Sequence, residues 1–170
     1  VVSELSGHGN LHSKAEEFGM QLDNKDSVTE VLSEIKDLES QGFSFEAAEA
    51  SVAIRLKRRQ SDYKPPFEFL DYSATVQHRQ GRGMFSESIV KILVNDEEIH
   101  TAGDGNGPVN ALNIALRKAL LHTYPKLNDI HLSDFKVRIL DGSDGTASLT
   151  RVLIDMHNEQ ERWSTVGTST

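Results

Sequence analysis

The sequence contains no cysteine, which removes disulfides, thiolate nucleophiles and cysteine-bound zinc, and which agrees with a reducing cytoplasm. It also lacks any apolar run near the roughly 18 residues that a membrane-spanning helix requires, and it shows no signal peptide. Positive charge is scarce: 18 lysines and arginines face 26 aspartates and glutamates, for a formal net charge of −8. Such a chain as a whole repels phosphate backbones and anionic lipid, so neither nucleic acid nor membrane is an expected partner. A cytoplasmic location is expected.

What is present is the composition of a soluble globular protein, with 37% hydrophobic and 26% charged residues. The 170 residues suit one domain with a small satellite. The chain opens on "VVSELSG" without a methionine and stops on the strand-like "WSTVGTST", so a fragment of a longer protein is expected.

Residues 11–60 read as helices. Leu11, Ala15 and Phe18 share one face before Gly19. Ser27 and Glu30 read as a capping box, followed by an apolar face of Val28, Val31, Leu32, Ile35 and Leu38 that ends at Gly42. A third helix is expected from Ser44 through Phe45, Ala48, Val52 and Leu56 into the basic run "RLKRR". "SDYKPP" at 61–66 then breaks the pattern and marks the expected domain boundary.

Beyond it the apolar period shifts to two. "FEFLDYSATVQ", "ESIVKILV" and "EEIHTA" predict three strands, joined by "RQGRG" and the turn "NDEE" and followed by a helix from "GPVNALNIALRKALL". The order then restarts with "SDFKVRIL", "ASLTRVLIDM" and "RWSTVG", where "IVKILV" matches "RVLIDM" and "IHTAG" matches "WSTVG". The expected fold class is therefore α+β: a small helical subdomain followed by a duplicated βββα module, with the second helix expected past Thr170. In the first copy Val109, Leu112, Leu116 and Leu120 are expected to cover the sheet, leaving Ala111, Ala115 and Ala119 as a flat stripe for a neighbour.

The stretch "GDGNGPVN" concentrates the candidate site residues Gly105, Asn106, Gly107, Pro108, Val109 and Asn110. It lacks the Lys-Ser/Thr of a P-loop and the spacing of a dinucleotide fingerprint, which argues against a nucleotide. Two readings stay open. In one, glycines with positive φ and Pro108 in the first helical turn make a tight connection. In the other, the amides of residues 107–110 and the helix dipole receive a small carboxylate. A second glycine-rich loop, "LDGSDGTAS", is either a strand connection or a wall of the same pocket through Gly145, Thr146 and Ala147.

His8 and His12 have the spacing of metal ligands, but no glutamate follows His8, and His78, His100 and His122 are scattered. No metal site and no catalytic set is expected in this chain. "RLKRR", without interleaved aromatics, reads as a helix end rather than a nucleic-acid contact.

"SELSGHGN", "FEAAEAS", "GNGPVNAL", "KVRIL", "GTAS" and "WSTVG" together resemble the C-terminal half of citramalate synthases, which belong with 2-isopropylmalate and homocitrate synthases. The likeness covers nearly the whole chain. It implies a linker at 1–10, a helical subdomain at 11–62 and a dimerising allosteric domain at 63–170. It further implies a preceding TIM barrel that condenses acetyl-CoA with pyruvate using a divalent metal. By the same resemblance the regulatory domain forms a homodimer and binds an end-product amino acid, isoleucine or leucine, with no cofactor of its own.

Overall fold

Apolar residues three and four apart give the first helix its buried stripe. In the computed structural model, which describes residues 25–140 and 144–169, this helix, α1, spans Lys25–Ser40 and buries Val31, Leu32 and Ile35. It starts two residues before Ser27, which therefore stands within the helix and not at its N-cap position, and Glu30 pairs with Arg59 at 2.9 Å. The expected helix at 11–18, the linker at 1–10 and the His8/His12 pair lie outside the described residues.

Helix α2 spans Glu49–Arg58, not Ser44 onward. Phe43 and Phe45 stack with centroids 5.7 Å apart, and Phe45 is fully buried. Residues two apart leave a helix on different faces, so two rings meeting one core require the turn that precedes α2. Arg55 lies 5.4 Å from the Phe45 ring centroid and pairs with Glu34, while Arg59 bonds both Glu30 and Glu34. The basic run is thus partly spent in tying α2 to α1.

The strands are β1 (Glu68–Arg79), β2 (Gly83–Val94), β3 (Glu97–Gly105), β4 (His131–Ile139), β5 (Thr150–His157) and β6 (Arg162–Ser169), with helix α3 (Pro108–Leu120) after β3. They form two antiparallel three-stranded sheets of order β1-β2-β3 and β4-β5-β6. Asn95 and Asp96, at φ of 50° and 63°, close the β2–β3 hairpin with the left-handed pair that matches strand twist.

The chain divides into two compact units. Pro65–Ile130 holds the first sheet and α3; the residues up to Lys64 together with those from His131 hold the helix pair and the second sheet.

The two sheets repeat each other in detail. A bulge interrupts β1–β2 between Phe69 and Asp71 and β4–β5 between Leu132 and Asp134. Gly103 stands opposite Ser88, and Gly167 opposite Val152, so "IHTAG" and "WSTVG" correspond as read from sequence. The middle strands correspond with a two-residue correction: Ile89 matches Leu153, not Arg151. A shift of two leaves every side chain on its original face, which is why alternation alone does not detect it.

In the first unit, Ser86, Ser88, Val90, Ile92 and Val94 are the buried alternate residues of β2 beneath α3. The expected use of α3 holds for Leu120, which is buried in this core, and is corrected for Val109 and the alanines. Ala111, Ala115 and Ala119 are buried against the sheet, Leu112 and Leu116 flank it, and Val109 is 48% exposed. The alanine stripe is therefore not available to a neighbour.

In the other unit, Val166 of β6 packs against the α1–α2 core, and its amide donates to Ser51 Oγ at 3.0 Å. Arg151 donates to the carbonyl of Gly42 at 3.2 Å. Trp163 takes the position that Ile99 holds in the first sheet.

Candidate functional site

The glycine stretch shapes where α3 begins and how close it lies to its sheet. Gly103 and Gly105 do not have positive φ, which corrects the turn reading. Their role is proximity. A Cβ on Gly103 would lie 2.6 Å from the Ala115 nitrogen and 2.8 Å from the Ala111 oxygen, and one on Gly105 would lie 2.5 Å from the Ala111 nitrogen. Small residues on both sides let the helix backbone descend onto the strand, and Thr101 Oγ1 fastens it by donating to the Ala115 carbonyl at 2.7 Å.

Gly107 is the N-cap, with extended backbone at φ −170°, and Pro108 takes the first helical position, where a missing N–H costs nothing. The Ala111 amide bonds the Gly107 carbonyl at 2.9 Å, and the Asn106 amide donates to Asn110 Oδ1 at 3.1 Å. The Asn110 side chain thus folds back to hold the loop, a variant of the reach from the third helical position in a capping box. Of residues 107–110, Pro108 offers no donor. Gly107, Val109 and Asn110 carry amides in the first turn, which has no intrahelical acceptors. Open space surrounds Gly107, where an added Cβ would meet nothing within 4 Å. The cradle is therefore a short row of amides at the positive end of a 13-residue helix, with an exposed valine in it.

An apolar margin runs beside α3. On the helix-bearing face of β1, Tyr72 and Val76 remain 63% and 48% exposed, and Met84 at the hairpin end is 65% exposed. Val76 stands in the same cross-strand row as Ser86 and Gly105, at the level where the helix starts. The equivalent row in the second sheet is Ile139, Thr150 and Ser169, and Phe135, Val137 and Ile139 are exposed there.

The loop residues Gly145, Thr146 and Ala147 form one turn of 3-10 helix in the other unit. Gly145 adopts φ 59°, and its carbonyl accepts from Ser148 Oγ at 2.7 Å. Gly105 to Asn110 are brought together as a single continuous loop and helix start.

Two features escaped the sequence reading. Ser88 is fully buried under α3 with its Oγ unpartnered among the described residues. Arg117 donates to the carbonyls of Leu127 and, at 2.5 Å, Ile130, tying α3 to the 3-10 turn Pro125–Asp129. The first followed from alternation, since Ser86 and Ser88 occupy inward positions of β2; the second had no local signal. Among the described residues no group of three or more histidine, aspartate or glutamate side chains could hold a metal ion. No helix among them is long and apolar enough to cross a membrane.

The second sheet carries two ion pairs. Asp134 and Asp155 face each other across β4 and β5; Lys136 pairs with Asp134 at 2.6 Å and Arg162 with Asp155 at 3.3 Å. The hydrogen bond from Lys136 holds the Asp134 carboxyl below its ordinary range, and the same bond raises the Lys136 ammonium.

Comparison with known proteins follows this architecture. Residues 45–170 match the family described as the LeuA allosteric (dimerisation) domain. The chain is 44% identical over 171 residues to an (R)-citramalate synthase of Geobacter sulfurreducens, covering 99% of this chain and 32% of that protein. It is likewise 44% identical over 176 residues to an (R)-citramalate synthase of Synechocystis sp., again 99% of this chain and 32% of the relative. A 2-isopropylmalate synthase of Pseudoalteromonas atlantica is 26% identical over 170 residues, covering 99% of this chain and 30% of that protein. The chain thus spans about a third of the length of the curated relatives it matches. With two sheets of one register, and a profile match running from Phe45 to the last residue, the chain belongs to the LeuA allosteric (dimerisation) domain family.

Proposed function

We propose that this chain is the sensing and dimerising region of a citramalate synthase, binding isoleucine and relaying feedback inhibition to a catalytic barrel. The observation that carries the reading is the start of α3. There the Gly107, Val109 and Asn110 amides lie in the first turn beside the exposed Val109 side chain, a combination that suits an amino acid presenting a carboxylate and an aliphatic side chain. The charge–dipole contact contributes about 0.3–1 kcal/mol, up to about 2 when partly buried. Burying an isoleucine side chain adds about 1.5–3 kcal/mol, so apolar contact supplies most of the affinity.

The exposed Tyr72, Val76 and Met84 supply apolar surface on the same face of the first sheet, and the same surface suits pairing with a second copy. Gly145, Thr146 and Ala147 are proposed as further effector-contacting residues. Residues 1–10, 11–62 and 63–170 are assigned as linker, helical subdomain and regulatory domain. Acetyl-CoA, pyruvate and a divalent metal are assigned to the catalytic barrel of the longer protein. For inhibition the effector must favour one arrangement of the assembly over another, since equal affinity for both shifts nothing.

Isothermal titration of the 170-residue chain with isoleucine, leucine and valine tests this. The expected result is saturable binding of isoleucine, weakened by Val109→Asp. The absence of heat and of thermal stabilisation with all three amino acids overturns sensing and leaves a dimerisation module. Tighter binding of leucine moves the chain to the isopropylmalate branch, against which the 44% and 26% identities speak.

A further inference from the structure

The second sheet carries a pair of imidazoles that neither the effector reading nor the dimer uses. His131 and His157 are direct cross-strand partners, the first pair of the β4–β5 ladder. Residues so paired point to one side of the sheet with Cβ atoms about 4.5–5.5 Å apart. Their ring centroids lie 5.7 Å apart at an interplanar angle of 46°. Two imidazoles sharing a tetrahedral ion at about 2.0–2.1 Å per nitrogen place their centroids roughly 5 Å apart, so the observed pair needs only a small side-chain adjustment to bite.

The second ring is also held from behind. Ser133, the extra residue of the bulge, places its Oγ 2.6 Å from His157 Nδ1. When Nδ1–H donates to that hydroxyl, the Nε2 lone pair is left for a metal, the arrangement by which outer partners orient ligating histidines. On the same face, the carboxylates of Asp134 and Asp155 are paired with Lys136 and Arg162. Imidazole without carboxylate selects ions of borderline softness over magnesium, calcium or manganese.

We propose that His131 and His157 form a two-imidazole binding site for a divalent zinc or copper ion, completed by water and oriented by Ser133. The bound ion clips the start of β4 to the end of β5, where the chain enters its second sheet.

The test is isothermal titration of the full chain with ZnCl2, CuCl2 and MgCl2, made in a His8→Asn/His12→Asn background so that the N-terminal histidines do not contribute. Zinc and copper are expected to saturate at one equivalent and magnesium to give no heat. His131→Asn and His157→Asn each weaken binding at least tenfold, and Ser133→Ala weakens it by roughly tenfold. Both histidine variants keep the parent's unfolding midpoint in EDTA, which separates lost ligation from lost fold. In parallel, substoichiometric copper broadens the imidazole NMR signals of His131 and His157 ahead of those of His78, His100 and His122. Unchanged affinity in both histidine variants, the absence of saturable zinc or copper uptake, or first broadening at another histidine overturns the proposal.

Discussion

Helix α3 lies over Gly103 so closely that a Cβ there would meet the Ala115 backbone at 2.6 Å, whereas the matching Gly167 in the second sheet has nothing within 4 Å. The strand order, the register and the position of the bulge are shared. The sheets therefore separate two requirements that one sheet alone would confound. Alternation and turn residues set the ladder, while small residues facing each other across an interface set how near a covering helix comes.

The largest break in the equivalence is expected from a pair of valines. Gly103→Val forces a branched side chain into a helix backbone, with an expected loss of about 3 kcal/mol or more. Gly167→Val stays within about 0.5 kcal/mol of the parent, since valine suits an open strand position. Urea unfolding of both variants measures the contrast, and equal losses would show that Gly103 is not the contact point of α3.

A second pair is milder. Thr101→Val removes the bond to the Ala115 carbonyl and is expected to cost about 1 kcal/mol. Thr165, its counterpart, makes no side-chain hydrogen bond among the described residues, and Thr165→Val is expected to be near neutral. A loss at Thr165 equal to that at Thr101 would contradict the assigned role of the helix fastening.

The smallest effect distinguishes the sheets by charge. Asp134 and Lys136 form an ion pair, while their counterparts in the first sheet are Asp71 and Ser73. Because the Asp134 pKa is lowered on folding, its stabilisation is present above the unfolded value, about 3.9, and fades as pH falls through the folded value. Because the Lys136 pKa is raised, its share holds below the unfolded value, about 10.4, and fades as pH rises through the folded one. NMR titration should place Asp134 below Asp134-free model carboxylates, and Lys136→Ser should return it towards them. An unmoved midpoint in that variant would assign the shift elsewhere.

Much of this architecture was legible in the chain. Alternation located all six described strands, and the likeness of "IHTAG" to "WSTVG" disclosed the repeat because two of five residues are identical and two more pairs are apolar at aligned positions. The orientation of α3 was not legible. Leucines outrank alanines on any hydrophobic scale, yet three alanines share the buried face with Leu120, because the deciding partners are glycines on another strand. The start of α2 was missed for a similar reason: Phe43 and Phe45 are drawn into one core, and nothing within their own segment signals it. Within the candidate site, Gly107 and Pro108 were read in their positions as helix start, whereas the backward reach of Asn110 to Asn106 emerged only from three-dimensional geometry.

Trp163 is the only tryptophan of the chain, and it lies in the unit that contains the helix pair and the second sheet. Intrinsic indole emission is consequently a private optical channel for that unit. A denaturation curve followed at the tryptophan band is blind to the melting of Pro65–Ile130 if the two halves come apart separately, while far-ultraviolet dichroism sums over both.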